Sequence, residues 1–293
     1  SKRVNLMPTK NFIWIDGNIL DGNNPALLPS NRSFLYGDGV FETILAYGTE
    51  AKHLPLHLAR LIKGMKVLEI DIPPYLNETF ISDTITRLLN KNRFFGNARV
   101  RITVFRNSDG FYTPTNNNAG VLIQTQELST TFYELNKQGY LLDIYTDIKK
   151  PINKLSSVKS CNALLFVKAG LYRKANELDD CIILNNEDRV SETISSNIFI
   201  VKGNTIYTPS LAEGCIPGIM REVVCKIAPT LGYEINNQVA FSIKALMDSD
   251  EVFLTNSING IRWVLGIKQN RYFCNASKKI IDALNRYTFP KSV

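Results

Sequence analysis

A lysine, a glutamate, an arginine and one helix start in this chain could share one chemistry. Lys159 stands in "NKLSSVKSCNALLFVKAG", ahead of a stretch where Leu164, Val167 and Leu171 recur at helical intervals. A protonated lysine is favoured at a helix C-terminus and disfavoured at the opposite end, where this one sits. Two readings compete: a solvated loop lysine, or a lysine kept neutral, which is a nucleophile able to form a Schiff base with a carbonyl. Glu192, in "RVSETISSNIFIV", lies between strand-like segments. It is either a surface turn carboxylate or an acid held against a protonated ring nitrogen. In "GCIPGIMREVV" a helix is expected from Ile219, and its first backbone N–H groups would seat a phosphate. Arg60 interrupts an apolar helix face in "LPLHLARLIKGM". Either its stem packs while its head stays in water, or its planar guanidinium grips a phosphate. Thr255, Asn256 and Ser257 follow a strand in "FLTNSINGIRW", as a plain turn or as the rim of an anion pocket.

Positioning such groups needs a scaffold, and the chain supplies an alternation of strands and amphipathic helices. "NFIWIDGNIL" reads as two strands around a turn at Asp16-Gly17-Asn18, and "FLYGDGVFETILAY" as a strand broken by a glycine turn. Leu54, Leu58, Leu61, Met65 and Leu68 define a helix over 54–70, and a second amphipathic helix is expected over 77–93. "ARVRITVF" and "GVLIQTQE" are strands joined by the polar loop "RNSDGFYTPTNNNA". The pattern turns polar around 127–137. We therefore expect an N-terminal α+β domain over 1–127, a linker over 128–137 and a C-terminal α+β domain over 138–293 that carries Lys159. The second half opens with "GYLLDIYT". It continues with strands at 180–185, 197–202 and 205–208, a helix near Gly218, the strand "EVFLTN" and a closing helix over 276–289.

Composition narrows the classes. No apolar run reaches membrane-spanning length, and "SKRVNLMPTKNFIWIDG" lacks the apolar core and cleavage site of a secretory signal. Five scattered cysteines without a CxxC pair suit reduced thiols in a cytoplasmic protein. His53 and His57, the two histidines, make no credible metal site. The formal charge of +7 raises nucleic-acid binding, but the basic residues are dispersed, with no basic block or basic helix face. The excess reads as solvated surface with some attraction for small anions.

Six segments, "RSFLYGDGVFET" (32–43), "HLARL" (57–61), "VKSCNALL" (158–165), "SETISSNIF" (191–199), "GIMRE" (218–222) and "DEVFLTN" (250–256), occur in one order and spacing. Together they resemble the signatures of the class IV, or fold type IV, pyridoxal-phosphate aminotransferases. That family includes branched-chain aminotransferases, D-amino acid aminotransferases and 4-amino-4-deoxychorismate lyases. The resemblance implies a two-domain α+β fold like that of D-amino acid aminotransferase, pyridoxal 5′-phosphate as cofactor and a homodimer acting on amino acids and keto acids. It also implies residue roles. Lys159 carries the cofactor as a Schiff base and shuttles the Cα proton. Glu192 pairs with the pyridine nitrogen. Arg60, the N–H groups of Ile219 and Met220, and the Ser257 hydroxyl hold the phosphate. Tyr36, Arg101 and Asn256 face the substrate. Neither a membrane nor a nucleic acid is implied as a partner.

Within the family the chain departs from each branch. Branched-chain aminotransferases usually pair asparagine with tyrosine after the lysine loop, where this chain has Asn162-Ala163, and they tend to carry threonine at the position of Met220. The Arg-x-His carboxylate trap of D-amino acid aminotransferases is missing from "RNSDGFYTP". The lyases share the short lysine loop, "GIMR" and the asparagine at Asn256, although one lyase type has threonine where this chain has Glu42. Transamination is the leading expectation and aminodeoxychorismate lyase activity the alternative. A protein that binds the cofactor without turnover is a remote third, because Lys159, Glu192 and Arg60 are all present.

Overall fold

The computed structural model describes residues 11–24 and 26–290. Residues 1–10, on which the reading of no secretory leader partly rests, lie outside the described residues. The chain divides into two compact units. One is Ser1–Thr131 with Ser160–Asn162; the other is Phe132–Lys159 with Ala163–Val293.

The first unit is built on a six-stranded antiparallel sheet. Its strands are β1 (Phe12–Ile15), β2 (Asn18–Asp21), β3 (Gly39–Tyr47), β4 (Glu50–Ala51), β5 (Asn97–Arg106) and β6 (Ala119–Glu127), in the order β2-β1-β6-β5-β3-β4. The long β3–β5–β6 ladder alternates in burial. Ile44, Val100, Ile102 and Val104 are fully buried on one face, against helices α2 (Leu54–Val67) and α3 (Glu78–Asn92). These helices form where i, i+3, i+4 spacing predicts them. Leu54, Leu58, Leu61 and Met65 line α2, and Ile81, Ile85, Leu88 and Leu89 line α3. The Asn77 side chain caps α3 by accepting from the Phe80 N–H.

One local expectation fails here. The segment read as the first half of a broken strand is a short helix, α1 (Arg32–Tyr36). The Asn31 side chain accepts from the N–H groups of Ser33 and Phe34, and Gly37, at φ 67°, ends the turn in the left-handed region. Local capping chemistry outweighs the strand preference of Phe34 and Tyr36.

The second unit holds a mixed sheet. Its strands are β7 (Tyr140–Lys150), β8 (Asp180–Asn185), β9 (Val190–Thr193), β10 (Asn197–Lys202), β11 (Thr205–Pro209), β12 (Glu234–Val239), β13 (Glu251–Asn256) and β14 (Gly260–Ile267). They run β12-β11-β10-β13-β14-β7-β8-β9, with β15 (Asn270–Arg271) paired to β14. Phe199 and Phe253 stack at 4.9 Å between ring centroids across β10 and β13. Helices α4 (Leu164–Ala175), α5 (Ile219–Ile227), α6 (Ile243–Met247) and α7 (Asn275–Thr288) complete the unit. Both units mix helices and strands, as expected. One detail differs from expectation. Glu192 is inside a strand, β9, rather than between strands. The helix expected after Lys159 is present as α4, and its stripe is exposed: Leu164, Val167 and Leu171 are 73%, 55% and 57% exposed, and Ala169 alone is buried in that helix.

Candidate active site

Glu192 pairs with Ile183 of β8, and its side chain is almost wholly out of water. A buried carboxylate needs partners, and two are present. The Lys150 ammonium, from the end of β7, pairs with Oε1, and the Ile216 N–H donates to Oε2 at 2.9 Å. Lys150 is equally buried, and its ammonium lies 5.5 Å from the centroid of the Phe166 ring.

From Glu192 the contacts run straight to a helix terminus. The Ile216 carbonyl accepts from Asn197 Nδ2 at 2.8 Å. The other end of that amide, Asn197 Oδ1, covers Gly218, where a Cβ would come within 1.9 Å of it. Only glycine fits there, so the backbone approaches Asn197 and then enters α5 at Ile219. No side chain caps α5. The N–H groups of Ile219 and Met220 therefore sit at the positive end of an uncapped helix, which favours an anion.

Asn197 is also the cross-strand partner of Thr255 on β13, so the helix terminus and the turn after β13 belong to one assembly. The Thr255 hydroxyl is buried with no hydrogen-bond partner among the described residues, and so is that of Ser191, next to Glu192. In the turn, Asn256 Oδ1 accepts from the N–H groups of Ile258 and Asn259, and its Nδ2 donates to Ser196 Oγ at 3.0 Å. Tyr133 donates its hydroxyl to the Ser257 carbonyl at 2.8 Å, and its ring fills the space beside Gly260, at φ 65°, where a Cβ would meet it at 2.6 Å. Burial pushes the Tyr133 hydroxyl far above its ordinary pKa, so it remains a proton donor. The second unit thus brings together Glu192, Ile219, Met220, Asn256 and Ser257. Lys159 belongs to the same unit and is half-buried in the loop before α4, with residues 160–163 between it and the helix.

Arg60, Tyr36 and Arg101 lie in the first unit. Arg60, on α2, is gripped by Glu42 of β3 through two bonds, Nε to Oε1 at 2.8 Å and Nη2 to Oε2 at 2.6 Å. His57, one turn earlier on α2, places Nδ1 2.6 Å from Glu42 Oε2. Burial, the largest influence, would raise the Glu42 carboxyl pKa. Hydrogen bonds from Arg60 and His57 outweigh it and leave the pKa below the usual value. Tyr36 ends α1 with its ring 5.5 Å from that of Tyr112 and 5.0 Å from the Arg32 guanidinium. Arg101, on β5, lies 3.8 Å over the Phe41 ring and donates to Thr103 Oγ1 at 3.2 Å. The tripeptide after Lys159 also belongs to this unit: Ser160 bridges to Val40, and the Cys161 N–H donates to the Gly39 carbonyl at 2.9 Å.

Lys150, Asn197, Tyr133 and the Glu42–His57 support of Arg60 escape a reading of the sequence. Lys150 sits in "IKKPINK", which reads as solvent-facing, and its partner is remote in the chain.

The family described as amino-transferase class IV matches residues 39–267. Among curated proteins, the aminodeoxychorismate lyase of Bacillus subtilis is 31% identical over 254 residues, covering 84% of this chain and 83% of its own. The branched-chain-amino-acid aminotransferase of Escherichia coli K12 is 24% identical over 290 residues, covering 94% of this chain and 93% of its own. Among solved structures, a putative 4-amino-4-deoxychorismate lyase from Legionella pneumophila matches with a TM-score of 0.80 at 26% identity, over 91% of this chain and 97% of that one. The fold is shared with the branched-chain aminotransferase of Thermoproteus uzoniensis, at a TM-score of 0.85 and 24% identity over 96% of each chain.

Proposed function

Because the chain belongs to the class IV aminotransferase family and is an enzyme of fold type IV, we propose that it binds pyridoxal 5′-phosphate on Lys159 and moves an amino group between an amino acid and a 2-keto acid. The observation that carries this reading is the run from Glu192 through Ile216 and Asn197 to the uncapped start of α5. It offers one anionic seat and one anion-binding seat joined by two hydrogen bonds, which suits a group that carries both a basic nitrogen and a phosphate.

The residues fit the group. Glu192 uses one position on each oxygen for Lys150 and Ile216, and a carboxylate has about four acceptor sites in all, so capacity remains for a ring N–H. The Lys150 ammonium pairs with one oxygen of Glu192, and Glu192 would favour the protonated form of a ring nitrogen placed against it. The buried, orphaned Thr255 hydroxyl, two residues before Ser257, is a polar atom awaiting a ligand. Contact with Glu192 also separates the two lysines of this region. The Lys150 ammonium is engaged by Glu192, and Lys159 is the lysine that would hold the cofactor.

When bound, the cofactor supplies an electron sink for the pair left behind as the Cα proton departs. Lys159 takes that proton and returns it. The N–H groups of Ile219 and Met220, the Ser257 hydroxyl and Arg60 would hold the phosphate. Tyr36, Arg101 and Asn256 face the substrate. The exposed apolar stripe of α4 supports a homodimer, since Leu164, Val167 and Leu171 would be covered by a second copy.

A second reading has its own support. The Bacillus subtilis relative is a lyase that shares 31% identity with 84% of this chain, and Cα proton removal by the same lysine also begins an elimination. One spectrum separates the two. The protein is loaded with cofactor, and its visible absorption is recorded before and after adding L-glutamate or a branched-chain L-amino acid. Conversion to pyridoxamine phosphate establishes the transaminase and names its donor class. A band unchanged by every amino acid, with pyruvate released from aminodeoxychorismate, establishes the lyase.

A further inference from the structure

Residues 133–136 run along the hairpin that carries Ser257, inside the second unit. Strand β13 ends at Asn256 and β14 starts at Gly260, so residues 257–259 make a three-residue turn, followed by Gly260 at φ 65°. Three attachments join the two segments in sequence. Tyr133 donates its hydroxyl to the Ser257 carbonyl at 2.8 Å, and Arg262 Nη1 donates to the Glu134 carbonyl at 2.6 Å. Asn136 Nδ2 donates to the Trp263 carbonyl, and the Trp263 N–H returns a bond to Asn136 Oδ1, each at 3.0 Å. The segment is a strap laid on the hairpin, and its first contact falls on the turn.

Tyr133 is itself held on every side. Asn285 of α7 grips its backbone at both ends, Oδ1 accepting from the N–H at 3.0 Å and Nδ2 donating to the carbonyl at 2.8 Å. The ring lies 5.5 Å from that of Phe289 and takes the space where a Gly260 Cβ would stand. Burial keeps the hydroxyl in its protonated, donating form. Within the turn, the N–H groups of Ile258 and Asn259 are spent on Asn256 Oδ1. Strand pairing holds the chain as far as Asn256, and the Tyr133 bond holds the Ser257 carbonyl. Between those two points the Ser257 Cα, which carries the hydroxyl, has little freedom to turn.

We propose that Tyr133 is a positioning residue for the phosphate seat: by anchoring the Ser257 carbonyl it sets the direction of the Ser257 hydroxyl. It acts through Ser257, so its effect falls on recognition of the phosphate and not of the aldehyde. This inference rests on the reading above that Ser257 holds the cofactor phosphate.

The test uses the full chain stripped of cofactor and two probes, pyridoxal 5′-phosphate and pyridoxal, which differ by the phosphate alone. Their affinities are measured by titration of the visible band. The wild type prefers the phosphorylated aldehyde. Tyr133→Phe keeps the ring beside Gly260 and removes only the hydroxyl. It lowers that preference about fivefold, the scale of one hydrogen bond, and leaves the affinity for pyridoxal unchanged, which also checks that the fold persists. Ser257→Ala lowers the preference as well, and adding Tyr133→Phe to it lowers it no further. An unaltered preference in Tyr133→Phe, an equal loss for both aldehydes, or a full further loss in the double variant overturns this inference alone. An unaltered preference in Ser257→Ala removes Ser257 from the phosphate seat, and this inference with it. A wild type that takes up neither aldehyde overturns the catalytic reading and this one together.

Discussion

Glu42 and Glu192 form two buried ion pairs, one in each unit, yet their surroundings differ. Glu42 spends both oxygens on side chains of one helix, Arg60 and His57, and so fixes the aim of a cation. Glu192 bonds one lysine and one backbone N–H, beside an uncapped helix and two buried hydroxyls that have no hydrogen-bond partner among the described residues. Burial alone does not distinguish a supporting carboxylate from a reactive one. What separates Glu192 is its link through Ile216 and Asn197 to an uncapped helix terminus, a place where backbone N–H groups can take an anion.

Substitutions sharpen this contrast. Lys159→Ala sets the upper limit: turnover falls by about 10⁴-fold or more, and the visible band of the loaded protein disappears. A surviving band would transfer the anchor to another lysine. Glu192→Gln comes next. Turnover with saturating cofactor falls about 100-fold, as charge stabilisation at the reacting system is lost. Thermal unfolding shows a loss of about 3 kcal/mol, because the Lys150 ammonium stays buried without its counter-ion. Near-normal turnover in this variant would remove the distinction between the two glutamates.

Glu42→Gln has a comparable effect on stability for the same physical reason, about 3 kcal/mol, with a different functional signature. Cofactor affinity drops about tenfold as Arg60 loses its bidentate hold, and turnover of the fully loaded enzyme falls far less than for Glu192→Gln. Its acid limb changes as well. The folded-state pKa of Glu42 lies below the ordinary 4.5. Its stabilisation is therefore complete above that value and lost as pH falls through the lower folded one, so denaturation curves of Glu42→Gln flatten in that range. A rate defect equal to that of Glu192→Gln would place Glu42 in the chemistry.

The smallest effect belongs to His53, at the left-handed start of α2, where burial, then His57 and Lys52, push its pKa down to about 4 from 6.5. Between those values the unfolded chain binds more protons, so stability rises with pH across the window and is complete above it. His53→Asn, which tolerates the same backbone, removes up to one proton from that slope and leaves stability near neutral pH little changed. An unaltered slope would place the titration elsewhere.

Much of the scaffold is legible because periodicity and burial coincide. The faces of α2 and α3 are written in leucines and isoleucines at helical spacing, and β5 and β6 in alternation. On α4 the same kind of stripe stays exposed, since spacing reveals that an apolar face exists and not what covers it. Family motifs pointed to Lys159, Glu192, Arg60 and the start of α5. The supporting groups left no such trace. Lys150 resembles any lysine beside a proline, and Asn197 any asparagine entering a strand. Their roles arise from contacts between distant segments, which no local pattern encodes.

The pairing of Ser160 and Cys161 with Val40 and Gly39 has a consequence for synthesis. The first unit is not a continuous length of chain, because its final residues are translated after the opening strand of the second. A nascent chain that has emerged only to residue 131 can form β3, β5 and β6, but the edge of β3 at Gly39 waits for the ribosome to deliver Ser160–Asn162. Domains generally fold as units in order of emergence. Here the N-terminal unit matures only once the lysine loop is made, so a truncated product lacking that loop leaves the first unit incomplete at Gly39–Val40.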